Sequence, residues 1–156
     1  MDALFGSVRR EDSEIQHQIS QSLKRTVREE GVNEVYAPAA NGGHVDHLVV
    51  LSAVFQALQG MNEIPKLYLY EELPYALKRI PSAWVAGTFW VRDPRRISEV
   101  LHAKTKGIAC YRSQIYAQFG SPIQMRIKIG IHARRKGAEI GSRGAYELLW
   151  HVPDVE

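Results

Sequence analysis

The residues best suited to chemistry lie together in Gly42-Gly43-His44-Val45-Asp46-His47. Two imidazoles three positions apart at the start of a helix share a face and can look into one cavity. Neutral imidazole is a common zinc ligand. The two glycines let the backbone take positive φ or approach a ligand closely. A helix N-terminus adds partial positive charge and unpaired amides, which suit an oxyanion. Asp46 is placed to cap that helix or to hold one histidine in its tautomer. The same spacing also suits ordinary capping and surface residues. A mononuclear zinc site needs three protein ligands, and this stretch offers two imidazoles and one carboxylate.

No other group completes the set by spacing. His17 and His102 fall on helical stretches and His132 in a basic segment, all as surface or partly buried residues, and His151 is near the end of the chain. Asp93, followed by Pro94, is a helix-start signature. Glu71 and Glu72 follow a strand and either reach a site at the sheet's carboxyl edge or form a solvated pair. Tyr68, Tyr70, Tyr75, Trp84 and Trp90 are suited to stacking on sugar rings or to plain core packing. Cys110, beside Ile108 and Tyr111, reads as a small buried hydrophobe. No Gly-x-Ser-x-Gly, P-loop, Gly-x-Gly-x-x-Gly or Cys-x-x-Cys pattern occurs.

The elements that must position these residues follow from periodicity. Ser13-Glu14-Ile15-Gln16 fits a capping box, and Ile15, Ile19, Leu23 and Val27 recur every four residues up to Gly31, which predicts a helix over 13–30. Glu34 to Ala37 is a strand closed by Pro38, His47 to Gln59 a helix stopped by Gly60, and Lys66 to Tyr70 a second strand. Helix, strand, helix, strand implies an α/β fold with parallel strands, and puts the 38–46 loop at a strand's carboxyl end, where open α/β sheets bind ligands. Trp84 to Val91 reads as a hairpin. A long helix is predicted from Asp93 through Ile97, Leu101, Ile108, Tyr111 and Ile115 to Gly120. Ile123 to Ile131 alternates as a strand does, yet Ile123, Ile127 and Ile131 also share a helix face after Pro122, and periodicity leaves both open. Ala145 to Trp150 reads as a closing strand.

The chain's 156 residues fit one domain, 1–156. With 45% hydrophobic and 24% charged residues it is globular, and 12 Gly and 7 Pro without a period exclude collagen-like and low-complexity classes. No run of about 18 apolar residues is present to cross a membrane. One cysteine and the lack of a leader-like N-terminus point to the cytoplasm. Net charge is +3, from 20 basic and 17 acidic residues. Residues 121–143 carry six basic residues against Glu139 alone, a solvated helix face or a contact for an anionic partner; nucleic acid is the least favoured partner.

Tyr36-Ala37-Pro38, then Gly43-His44-Val45-Asp46-His47, then Tyr68-Leu69-Tyr70-Glu71-Glu72-Leu73-Pro74-Tyr75 resemble, in order and spacing, the C-terminal half of the PIG-L (LmbE-like) deacetylases. Tyr111-Arg112-Ser113-Gln114 and Tyr146-Glu147 resemble later motifs of that family. The resemblance implies a Rossmann-like α/β fold and a zinc-dependent hydrolase that removes an acetyl or other acyl group from an amide nitrogen of an N-acetylated, sugar-type small molecule. It implies His47 as a zinc ligand and His44 as the group that stabilises the oxyanion or protonates the leaving amine, with Asp46 orienting a histidine or capping the helix. The family's His-Pro-Asp-Asp motif, which supplies two further zinc ligands and the general base, has no counterpart: the five aspartates are at 2, 12, 46, 93 and 154, and none follows His-Pro. Three expectations follow: a fragment of a longer frame that lacks the first strands of the sheet, a relative that kept the shape as a non-catalytic or carbohydrate-binding remnant, or half of a site shared with a partner chain. Each leaves an exposed sheet edge open to self-association.

Overall fold

The computed structural model describes residues 7–78 and 90–151. The predicted hairpin at 84–91 lies almost wholly outside them, as does Trp84. Helix α1, Ser13–Glu30, follows a single 3-10 turn at Arg10–Asp12. The capping box does not form. Because the chain enters through that turn, Ser13 is already helical and its hydroxyl donates to the Arg10 carbonyl at 2.7 Å, while Gln16 reaches across to Ser52 Oγ at 3.0 Å. Gly31, at φ 59°, ends the helix as its amide closes on the Val27 carbonyl.

Strand β1, Glu34–Pro38, leads through a loop to helix α2, Val45–Leu58, and on to strand β2, Lys66–Tyr70. β1 and β2 pair in parallel from Glu34↔Lys66 to Pro38↔Tyr70. Val35, Ala37 and Leu69 on one sheet face meet Val27 of α1 and Leu51, Val54 and Leu58 of α2. Leu51 and Leu69 are wholly excluded from solvent, each worth about 1.5–3 kcal/mol of hydrophobic stabilisation.

The sheet is mixed, with order β1-β2-β4-β3 among the described residues. Strand β3, Val91–Arg96, and strand β4, Tyr146–His151, pair antiparallel to each other, and β4 pairs antiparallel to β2. Asp93 and Pro94 therefore lie within a strand and do not start a helix. Their strand is an edge, where proline's missing amide costs no ladder bond, and Asp93 accepts from Arg95 at 3.0 Å.

The predicted long helix is two: α3, Leu101–Ala109, and α4, Arg112–Phe119. After Gly107 the last turn tightens, with the Cys110 amide closing on the Gly107 carbonyl, and Tyr111 at φ −80°, ψ 58° redirects the chain. Cys110 sits at this break and is exposed, not buried. Helix α5, Pro122–Glu139, resolves the ambiguous segment. Ser121 Oγ accepts the Gln124 amide at 3.2 Å and Pro122 occupies the first turn. Its buried side is Met125, Ile129, His132, Ala133 and Lys136; Ile123, Ile127 and Ile131 face outward. No helix among the described residues is long and apolar enough to cross a membrane.

Candidate functional site

The site is built at the carboxyl ends of β1 and β2. The Ala39 amide extends the ladder to the Tyr70 carbonyl at 2.9 Å. Ala40 then turns left-handed at φ 58°, a conformation an alanine holds only when its surroundings fix it. Glu72 supplies the fixing. Its side chain, 6% exposed, accepts the Ala40 amide at 2.6 Å on Oε1 and the Asn41 amide at 3.1 Å on Oε2. Gly42, at φ 74°, lies against the Tyr75 ring, where a Cβ would stand 3.4 Å from it. The loop is thus pinned between β2's end and the Tyr75 turn, and it delivers the chain to α2 at His44.

His44 is the N-cap of α2: its Nδ1 accepts the Asp46 amide at 3.3 Å. The cap is this imidazole and not the Asp46 carboxylate, because the helix begins two residues earlier than its apolar pattern suggests. A ring that accepts through Nδ1 carries its proton on Nε2 when neutral. The Asp46 carboxylate is 78% exposed and 3.8 Å from His44 Nδ1, an electrostatic neighbour and not a hydrogen-bond partner.

His47 is one turn along. The His44 and His47 ring centres are 5.2 Å apart, and Tyr75 packs edge-on to His47 at 5.3 Å and tilted on His44 at 5.6 Å. His47 Nδ1 is buried without a hydrogen bond and lies 3.3 Å from Glu72 Oε1. Burial first, and then the neighbouring His44, hold the His47 imidazole below the usual histidine range, against a smaller upward pull from Asp46, so it stays neutral at neutral pH. Burial pushes the Glu72 carboxyl up against the lowering effect of its backbone donors, and burial with Asp46 and Glu72 keeps the Tyr75 phenol protonated.

These side chains line a cavity of about 740 Å³. Its far wall comes from α3 and α4, with Lys104, Tyr111 and Gln114 among its polar groups. The break between the two helices lets both contribute. Lys104 pairs with Glu147 on β4, and burial lowers its pKa. Tyr111 is 70% exposed.

Sequence reasoning put His44, Asp46 and His47 at one helix mouth, and the structure brings them together. It left Glu71 and Glu72 open between reaching a site at the sheet's carboxyl edge and forming a solvated pair. The pair Glu71-Glu72 is not solvated: Glu72 holds the loop, while Glu71 turns the other way to Lys136 Nζ at 2.8 Å and His132 Nε2 at 3.6 Å. His132 is buried, whereas His17 and His102 are exposed and away from the site. The signal for Glu72 was its place two residues after β2, at the level of the loop.

Among the described residues no group of three or more His, Cys, Asp or Glu side chains is arranged to hold a metal ion. Two imidazoles without a third donor fall short of a zinc site, so the described residues do not by themselves fit zinc.

The architecture has close counterparts among solved structures. The zinc-inhibited form of teicoplanin deacetylase superposes with TM-score 0.75 at 22% identity over 94% of this chain and 55% of its own. The A40926 pseudoaglycone deacetylase gives 0.73 at 20% over 91% and 58%. The fold is LmbE-like. In sequence, the chain is 36% identical over 104 residues to a 2'-N-acetylparomamine deacetylase of Streptomyces fradiae, covering 62% of this chain and 36% of that protein. The chain spans about a third of the length of this curated relative and little more than half of the LmbE-like structures it matches. No family model matches.

Proposed function

We propose that this chain carries part of the active site of an N-deacetylase that removes an acetyl group from an N-acetylated amino sugar or sugar conjugate. The observation that carries the reading is the His44–His47–Tyr75 cluster, fixed by Glu72 at the mouth of α2, on an LmbE-like fold. The similarity to a deacetylase named for an acetylated aminoglycoside supports the substrate class.

His44 is the group that meets the developing oxyanion. With Nδ1 engaged by the Asp46 amide, its Nε2–H is the donor, and the N-terminus of α2 adds positive potential. Asp46, through its backbone amide on His44 Nδ1, orients that ring and fixes its tautomer. His47, kept neutral by burial, is in the protonation state that would coordinate a metal; it would be one ligand of a zinc ion, a set that the described residues alone do not complete. Tyr70, Tyr75 and Tyr111 offer ring faces to a sugar.

The test is zinc stoichiometry and acetate release from an N-acetylated amino sugar, with His47→Ala and His44→Ala as controls. Zinc bound near one per site and lost in His47→Ala, with acetate release lowered about 100-fold or more in His44→Ala, bears out the proposal. A second reading rests on the shortfall of metal donors: the chain binds an acetylated sugar without turning it over. Sugar binding unchanged in both variants, without zinc and without acetate release, selects that reading and overturns the first.

A further inference from the structure

Helix α5 exposes an apolar ridge that the site does not use. Ile123, Ile127 and Ile131 are 70%, 55% and 61% exposed and lie one above the next at four-residue spacing, a stripe of about 12 Å at 1.5 Å per residue. Such a run of large exposed apolar side chains marks an interaction surface. At about 100° per residue, Arg126 flanks the stripe on one side and Lys128 and Arg135 on the other, with Arg134 at its C-terminal end. The acidic residue on this helix, Glu139, is at the far end, within 3.6 Å of Arg135 and 3.8 Å of Lys136.

We propose that this face of α5 docks on a bilayer surface bearing anionic headgroups. Cations on both flanks repel a second copy of the same face and complement anionic lipid. Arg126 and Arg134 reach headgroup phosphates with their long side chains while the isoleucines enter the interface; on the other flank Lys128 donates to the Phe119 carbonyl at 3.1 Å and Arg135 meets His132 Nδ1 at 2.9 Å. The helix lies on the surface and does not cross, consistent with its four exposed or half-exposed cations. Ile131 also lines a cavity of about 530 Å³ that shares Tyr75 and Gln118 with the site cavity, so a docked surface lies beside the site. The proposal does not depend on the deacetylase reading.

The experiment is co-sedimentation of the chain with phosphatidylcholine vesicles with and without phosphatidylglycerol, for the unaltered chain, Ile127→Glu/Ile131→Glu and Arg126→Gln/Arg134→Gln, each checked for folding by circular dichroism. The expected result is binding to the anionic vesicles alone, weakened by salt, and lowered about tenfold or more in each double variant, since each basic residue near such a surface is worth about fivefold. Binding independent of phosphatidylglycerol, or unchanged in the isoleucine variant, overturns the proposal. So does a stable dimer that the isoleucine variant dissolves while vesicles bind neither form.

Discussion

Replacing Glu72 by Gln tests whether one buried carboxylate holds the loop that delivers His44 and His47. Two backbone amides, both on buried residues, converge on this side chain. A glutamine oxygen retains one of them, and its NH2 faces the other. The retained bond drops from charge-assisted to neutral strength, a loss of about 1 kcal/mol, and the orphaned buried amide costs about 1–3 kcal/mol. Release from burying a charge offsets part of this, which leaves a net loss of roughly 1–3 kcal/mol. For a chain of this size that is a fall of roughly 3–9 °C in melting temperature. The pH dependence has a definite sign. Glu72's folded pKa is raised, chiefly by burial, so the folded state holds its proton more tightly than the unfolded state. The stability this group contributes is full at acid pH and declines as pH rises through the folded pKa. The advantage of the unaltered chain over Glu72→Gln is therefore largest at acid pH and narrows toward alkaline pH, and contributions common to both proteins cancel. Urea melts at several pH values measure it. A variant within about 0.5 kcal/mol of the parent at every pH, below the cost of one lost buried bond, refutes the assignment of Glu72 as the residue that fixes Ala40 and Asn41.

Three further outcomes follow from the same geometry. His44→Asn keeps an N-cap acceptor and His44→Ala does not, so Ala alone loses about 1 kcal/mol in a urea melt, while both lose acetate release if Nε2–H serves the oxyanion; equal melts for the two show that the cap is immaterial. Lys136→Met leaves the Glu71 carboxylate with His132 at 3.6 Å and costs about 3–5 kcal/mol at neutral pH. Burial alone raises the Glu71 pKa, but its bonds to His132 and Lys136 bring it below the usual range, so this stability is present above the ordinary carboxylate pKa and is lost as pH falls through the folded one; a parent without that acid-side loss contradicts the pairing. Gly137→Ala drives a methyl into the Gly144 carbonyl and the Tyr146 ring where α5 packs on β4, costing about 1–3 kcal/mol or more; an unchanged thermal melt shows that the contact yields.

Much of the fold was legible because local patterns and tertiary burial agree. Of the four-residue recurrence Ile15, Ile19, Leu23 and Val27, Leu23 and Val27 join the core with α2 while Ile15 stays exposed, and Lys66 to Tyr70 is a strand with the predicted bounds. Legibility failed where local signals competed. Asp93-Pro94 carries a strong helix-start signature, yet pairing with β4 outweighs it on an edge strand that tolerates proline. Ile123, Ile127 and Ile131 fit a strand and a helix face equally, and neither pattern reveals that the three remain outside.

By itself the sequence determined the α/β alternation and the placing of His44, Asp46 and His47 at one helix mouth beyond a strand, because a glycine-rich turn between two periodic segments leaves little else for that stretch to be. Only the tertiary structure decided that His44 and not Asp46 caps the helix, that Glu71 and Glu72 part to opposite sides, and that Glu72 grips the loop 31 and 32 positions before it. The reason is that these outcomes are set by which buried amides and cations the folded chain brings within hydrogen-bond reach, and such contacts between segments distant in sequence leave no periodic trace in it.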